Sequence, residues 1–133
     1  MGRRSYDMGN GDFTGYEFQT PIFVLTHRVP DEAARGQNDR LRFSFVTDGI
    51  ERAIAPAKGA AGNRDVTVVG GASTIRQCLA EGLVDELHID LRAVRLGDGL
   101  RLFDRLAAAS VGLETIRITE SPGVTHRRFR VAR

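Results

Sequence analysis

Two adjacent glycines, Gly70 and Gly71, stand between the apolar run VTVV and a helix-like stretch that opens with Ala72, Ser73 and Thr74. Glycine reaches backbone conformations closed to other residues and lets a partner approach the peptide groups closely. Bare amides at a helix start suit an anion such as phosphate. They suit a tight turn that binds nothing equally well, and spacing alone leaves both open. The stretch is neither G-x-G-x-x-G nor G-x-x-x-x-G-K-[ST]. A strand, two glycines and a capped helix would put the turn at the carboxyl end of a parallel strand, where open α/β sheets hold their ligands. The amides of Ala72, Ser73 and Thr74 would then point the same way as the positive end of the helix dipole.

Two further segments have anion-binding chemistry. GRRSYD offers Gly2, Arg3, Arg4 and Ser5 just ahead of a short helix. LTHR places Thr26, His27 and Arg28 where a buried strand gives way to loop. A hydroxyl, an imidazole and a guanidinium side by side can hold a terminal phosphate, with Arg28 as the bidentate partner.

Other reactive residue types read as structural. His88 shares a strand face with Glu86 and Asp90, but alternate positions on one strand without a distant fourth ligand make a poor zinc site, and no metal is expected. Asp85 and Glu86 are neighbours on opposite faces and cannot work as an acid/base pair. No Ser/His/Asp or Cys/His set has convincing spacing for nucleophilic catalysis. The basic run THRRFRVAR contains one aromatic, too few for a single-strand stacking platform. It reads as an edge strand guarded by charge. Cys78, alone in the sequence and at i+3 from Ile75, reads as a small core residue of a chain kept in a reducing cytoplasm.

The elements that must position these groups follow from patterning. With 133 residues, 41% hydrophobic and 27% charged, the chain has the content of one globular domain spanning 1–133. Its formal charge is +2, and Lys58 is the only lysine, so the pI near 9.2 comes from arginine. That balance is too weak to argue for nucleic acid. No eighteen-residue apolar run is present, so no membrane span is expected, and the first residues lack the apolar core of a secretory signal.

PIFVLTH reads as a buried strand. LRFSFVT reads as a half-buried one, with Leu41, Phe43 and Phe45 inward. Ile50, Ala53, Ile54 and Ala57 form a helical stripe capped by Thr47 or Asp48 with Glu51 in a capping box, and Pro56 is expected to kink or shorten that helix. VTVV reads as another buried strand. STIRQCLAEG reads as a helix capped by Ser73 or Thr74 and ending at Gly82, and ELHIDL as a strand with Leu87, Ile89 and Leu91 inward. RLGDGLRLFDRL reads as a loop leading into a short helix or extended piece. LETIRITES and GVTHRRFRVA close as a hairpin around Pro122–Gly123. The order implies an α/β sheet, mostly parallel, with an antiparallel C-terminal hairpin and helices on both faces.

GRRSYD, PIFVLTHR, FVTDGIERAI, VTVVGGASTIRQCLAEGLVDELHIDL and LGDGLRLF follow one another in a recognisable order and spacing. They resemble the dihydrofolate reductase-like family, in the branch of the C-terminal reductase domain of the bifunctional riboflavin-biosynthesis deaminase–reductase. The resemblance covers nearly the whole chain. It implies a dihydrofolate reductase-like mixed sheet and hydride transfer from NADPH to a small heterocyclic substrate. The type reaction is that of 5-amino-6-(5-phosphoribosylamino)uracil reductase. It implies that Gly70, Gly71, Ala72, Ser73 and Thr74 touch the cofactor diphosphate and ribose, with the Gly-Gly peptide cis. Gly2, Arg3, Arg4 and Ser5 would lie on the other side of the diphosphate, and Thr26, His27 and Arg28 would read the 2′-phosphate. Substrate contacts fall to Tyr6, Phe13, Gly97 and Gly99. A cytoplasmic homodimer is the expected assembly, with neither nucleic acid nor membrane as partner.

The sequence departs from that family at three places. Ala93 and Arg95 stand where relatives often have proline and an apolar residue. More importantly, G-R-x-[ST] begins at residue 2, so the family's first central strand and helix are expected to be missing. That leaves a sheet slot between VTVV and ELHIDL. The competing expectation is a truncated, non-catalytic nucleotide-binding or subunit-like remnant of the same fold.

Overall fold

The computed structural model describes residues 1–104, 106 and 111–132. They group into two compact units, Met1–Gln77 and Cys78–Arg133.

In the first unit, α1 (Arg3–Asp7) precedes two parallel strands, β1 (Ile22–Leu25) and β2 (Phe43–Val46), paired Ile22 to Phe43 through Leu25 to Val46. Helix α2 (Ile50–Ala61) packs against β1, and α3 (Ala72–Ala80) begins at the end of the unit. The core is largely aromatic. Tyr6, Phe13, Ile22, Val24, Ala34 and Leu41 are buried, and Phe43 and Phe45 pack against them. Tyr6 stacks on Phe13 at 5.2 Å and meets the edges of Phe43 and Phe45 at 5.2 and 5.1 Å. Such offset and edge contacts place positive ring edges on negative faces.

Three local expectations change here. α2 continues through Pro56 to Ala61. It has no side-chain cap: Gly49 is the N-cap at φ 104°, and the Thr47 hydroxyl donates to Asp48 instead. α3 starts at Ala72, so Ser73 and Thr74 lie inside its first turn rather than at its cap. Residues 66–69 are not a strand, because no described strand pairs with them. Apolar β-branched residues favour an extended path, but a ladder also needs a partner.

In the second unit, β3 (Glu86–Arg92), β4 (Gly112–Ser121) and β5 (Val124–Ala132) form an antiparallel sheet in the order β3-β5-β4. The basic run is therefore the central strand and not an edge. Its charges are tolerated because acidic neighbours face them: Arg128 donates to Glu86 at 2.6 Å and Arg130 to Glu114 at 3.2 Å. A bulge between Thr115 and Arg117 keeps His126, Arg128 and Arg130 on one face with Arg117 and Thr119. Leu87 is buried as expected, whereas Leu91 is 58% exposed. The α3 helix ends as its glycine indicated: Gly82 has φ 63°, and the amide of Leu83 donates to the Cys78 carbonyl at 2.8 Å. Cys78 is buried, and burial pushes its thiol pKa up, so it sits as an unreactive core residue. Part of the loop-to-helix expectation for RLGDGLRLFDRL lies outside the described residues.

Candidate functional site

The first unit gathers three of the sequence segments at one place. The amide of Gly2 donates to the carbonyl of Gly70 at 3.2 Å. A Cβ on Gly70 would stand 3.3 Å from Ser5 Oγ, and one on Gly2 would stand 2.5 Å from Thr74 Oγ1. Residues 2–5 and 70–74 are thus in van der Waals contact, and they are in contact because Gly2 lacks a side chain.

Arg3 ties this pair to the end of β1. Its Nη1 donates to Thr26 Oγ1 at 3.2 Å and to the Arg28 carbonyl at 2.6 Å, while its Nε pairs with Asp7 at 2.8 Å. Thr26 is buried, and its hydroxyl in turn donates to the Arg28 carbonyl at 2.8 Å. Arg3 therefore acts as a strut that fixes the loop after β1. Arg28 points outward, with its Nη2 donating to both carboxylate oxygens of exposed Asp31 at 3.0 and 2.9 Å. An ion pair this exposed contributes little stability, so exchanging Asp31 for another anion costs little. Arg4 and His27 are exposed beside these residues in the chain.

The turn itself has the geometry the resemblance implied. The Gly70–Gly71 peptide is cis, and Gly70 has φ 45°. Gly71 is exposed, and a Cβ there would meet nothing within 4 Å. The nine-residue α3 starts directly behind it, with the amide of Ile75 bonded to the Gly71 carbonyl at 3.1 Å. The amides of the first turn of a helix have no partner within it. Open space at Gly71, at the start of α3, and an outward guanidinium on Arg28 fit an extended, multiply charged phosphate ligand.

Of the four residues expected at the substrate, two lie in the first unit and two in the second. Tyr6 and Phe13 are 4% and 5% exposed in the aromatic core, and burial raises the Tyr6 pKa. Packing accounts for both. Gly97 and Gly99 lie on an exposed loop of the second unit.

One arrangement escaped the sequence reading. Ser121 Oγ lies 3.0 Å from His126 Nε2, and His126 Nδ1 lies 2.7 Å from Asp90. The three residues come from β4, β5 and β3, so no local spacing shows them. Only the sheet register, which sets Asp90 opposite His126, brings them together. The order of atoms is that of a hydrolytic triad, but Ser121 is exposed at a hairpin and precedes Pro122, which has no N–H. That turn does not supply the paired backbone donors a developing oxyanion requires. The three side chains read as a polar ladder across the sheet.

The mixed α/β fold and its glycine turn place the chain in the dihydrofolate reductase-like class. The RibD C-terminal domain family matches residues 16–126, and the chain belongs to that family. Among solved structures, it is similar to a protein assigned to riboflavin biosynthesis from Shewanella sp. PV-4. That match has 27% identity and a TM-score of 0.74, covering 100% of this chain and 72% of the other. A pyrimidine reductase-like protein from Corynebacterium diphtheriae shares the fold at 19% identity and a TM-score of 0.55, with 85% of this chain and 50% of that one covered. The riboflavin biosynthesis reductase Rib7 of Saccharomyces cerevisiae also shares it at 19% and 0.55, with 86% and 57% covered. The chain thus spans 50% and 57% of the length of the last two. No curated protein matches it. Among the described residues, no helix is long and apolar enough to cross a membrane.

Proposed function

We propose that the protein is an NADPH-dependent reductase of a small heterocyclic substrate, of the kind that reduces the ribosylamino pyrimidine intermediate of riboflavin synthesis. The family supports a reductase-type domain. The observation that carries the cofactor is the contact of residues 2–5 with residues 70–74, beside an outward-facing Arg28.

In this reading the amides of Gly71, Ala72, Ser73 and Thr74, with the Ser73 hydroxyl, hold the diphosphate. Ser5 and Arg4 close it from the other side. Arg28, with Thr26 and His27, holds the 2′-phosphate after releasing Asp31. Bound NADPH supplies a hydride. The chain's own contribution is orientation and electrostatics. Arg3 positions the loop by binding its Thr26 hydroxyl and Arg28 carbonyl and does not itself touch the ligand. The protein would act in the cytoplasm, with a homodimer as its assembly.

Titration with NADPH and NADH, read by nicotinamide fluorescence, tests this. NADPH should bind at least tenfold more tightly than NADH, and R28A should abolish the difference. Failure of both to bind would end the cofactor reading.

A second reading has a specific observation in its favour. Residues 66–69, which lead straight into Gly70, make no backbone hydrogen bond among the described residues. In that reading the chain holds a nucleotide without turnover. NADPH binding with no oxidation across a panel of pterin and pyrimidine substrates would support it.

A further inference from the structure

We infer that Asp31 sets the cofactor preference of this site: its carboxylate competes with a 2′-phosphate for Arg28 and accepts a hydrogen bond from a bare ribose 2′-hydroxyl. The inference rests on the cofactor reading above and adds a specificity-determining residue to it. Arg28 Nη2 donates to Asp31 Oδ1 at 3.0 Å and to Oδ2 at 2.9 Å. Nη2 belongs to both two-pronged grips of a guanidinium, end-on with Nη1 and side-on with Nε. A carboxylate on that nitrogen blocks either grip. A phosphate must displace Asp31 before two parallel bonds can hold it.

The loop is built so that its backbone stays in place while the two side chains exchange partners. The Arg28 carbonyl accepts from Arg3 Nη1 at 2.6 Å and from the Thr26 hydroxyl at 2.8 Å, and the Arg28 amide donates back to Thr26 Oγ1 at 3.3 Å. Thr26 is buried. Pro30, with its fixed φ, limits the freedom of the segment between Arg28 and Asp31. By contrast, the Arg28 and Asp31 side chains are 77% and 81% exposed. Water replaces either partner of so exposed a pair, so the pair opens at little cost. Asp31 is thus a competitor held close by the chain and bound weakly by its partner.

The two nicotinamide cofactors differ at the 2′ position alone, one carrying a phosphate and the other a hydroxyl. A phosphate beside Asp31 meets a like charge and has to take Arg28 from it, so Asp31 weakens the binding of NADPH. A 2′-hydroxyl carries a proton that a carboxylate accepts, as acidic residues do at other dinucleotide sites, so Asp31 strengthens the binding of NADH. One exposed pair reads both groups, Arg28 the phosphate and Asp31 the hydroxyl. Arg28 supplies the preference for NADPH, and Asp31 limits it. Glu32, next in the chain, is also acidic and exposed, but Arg28 pairs with Asp31. It serves as the control for charge alone.

The test is titration of the full chain and its D31A and E32A variants with NADPH and NADH, read by nicotinamide fluorescence, and with 2′,5′-ADP and 5′-AMP, read by calorimetry. Both positions are exposed, so circular dichroism should show the parent fold in each variant. D31A should bind NADPH and 2′,5′-ADP about fivefold more tightly, the upper end of what an exposed ion pair is worth. It should bind NADH and 5′-AMP roughly threefold more weakly, through loss of one hydrogen bond. E32A should leave all four affinities as in the parent. Equal gains in E32A and D31A would overturn the inference, because removal of any nearby negative charge would then suffice. So would an unchanged preference for NADPH over NADH in D31A. A parent that binds neither cofactor would end the cofactor reading as well. A parent that binds both, with D31A behaving like it, would leave that reading standing and remove Asp31 alone.

Discussion

The amide of Gly2 bonds to the carbonyl of Gly70, and the space a Gly2 side chain would need is taken by Thr74 Oγ1. This contact joins the second residue of the chain to the turn at Gly70, and two of the three anion-suited segments become one surface through it. Overpacking of a rigid neighbour costs about 1–3 kcal/mol. G2A is therefore expected to lower stability to urea by that amount and to weaken NADPH binding. G2A/T74A should recover part of the stability, since the clashing hydroxyl is gone. Equal losses in G2A and the double variant would show that the contact is not the cause.

Arg3 and Arg28 are predicted to separate by role. Hydrogen bonds to charged groups are worth about 1.5–3 kcal/mol. R28A should raise the Kd for NADPH roughly tenfold to a hundredfold and leave that for NADH unchanged. R3M removes the donor to Thr26 and to the Arg28 carbonyl, so it should weaken both cofactors and lower the melting temperature. If R3M also spares NADH, Arg3 contacts the 2′-phosphate and is no strut.

Much of this surface was legible from residue types, because hydroxyls, arginines and glycines at element ends are local features. The convergence was not, since it depends on Gly2 and Thr74 sharing space. Strands β1 and β2 followed from their apolar patterns, whereas residues 66–69 have an equally apolar pattern and no ladder. Strand propensity reports side chains, and pairing depends on what lies alongside. The basic C-terminal run illustrates the same limit. Its charges suggested an edge, and only the register against Glu86 and Glu114 shows how a central strand carries them. The resemblance set Tyr6 and Phe13 toward substrate, and no local pattern shows that both rings pack onto Phe43.

Glu86 provides a pH test. Its hydrogen bond from Arg128 holds the carboxyl below the usual glutamate pKa of about 4.3. A depressed pKa in the folded state contributes stability above the unfolded value, and that contribution is lost as pH falls through the folded value. E86Q should therefore be less stable than the parent at pH 7. The gap should close progressively below about pH 4 as the parent's carboxyl protonates. A gap constant down to pH 2 would mean that the ion pair is not its source.

The Ser121, His126 and Asp90 ladder should prove structural. A fluorophosphonate probe is expected to leave Ser121 unlabelled, and S121A to leave hydrolysis of p-nitrophenyl acetate at background. Stoichiometric labelling of Ser121 would reveal a nucleophile that the Pro122 turn argues against.

The central claim is that residues 5, 28 and 70–74 serve one extended phosphate ligand. Amide NMR of the labelled protein under NADPH titration tests it most directly. The amides of Ser5, Arg28, Gly71, Ser73 and Thr74 should all shift along one isotherm with a shared Kd. Saturation that moves the turn residues alone, or none of them, would contradict the claim.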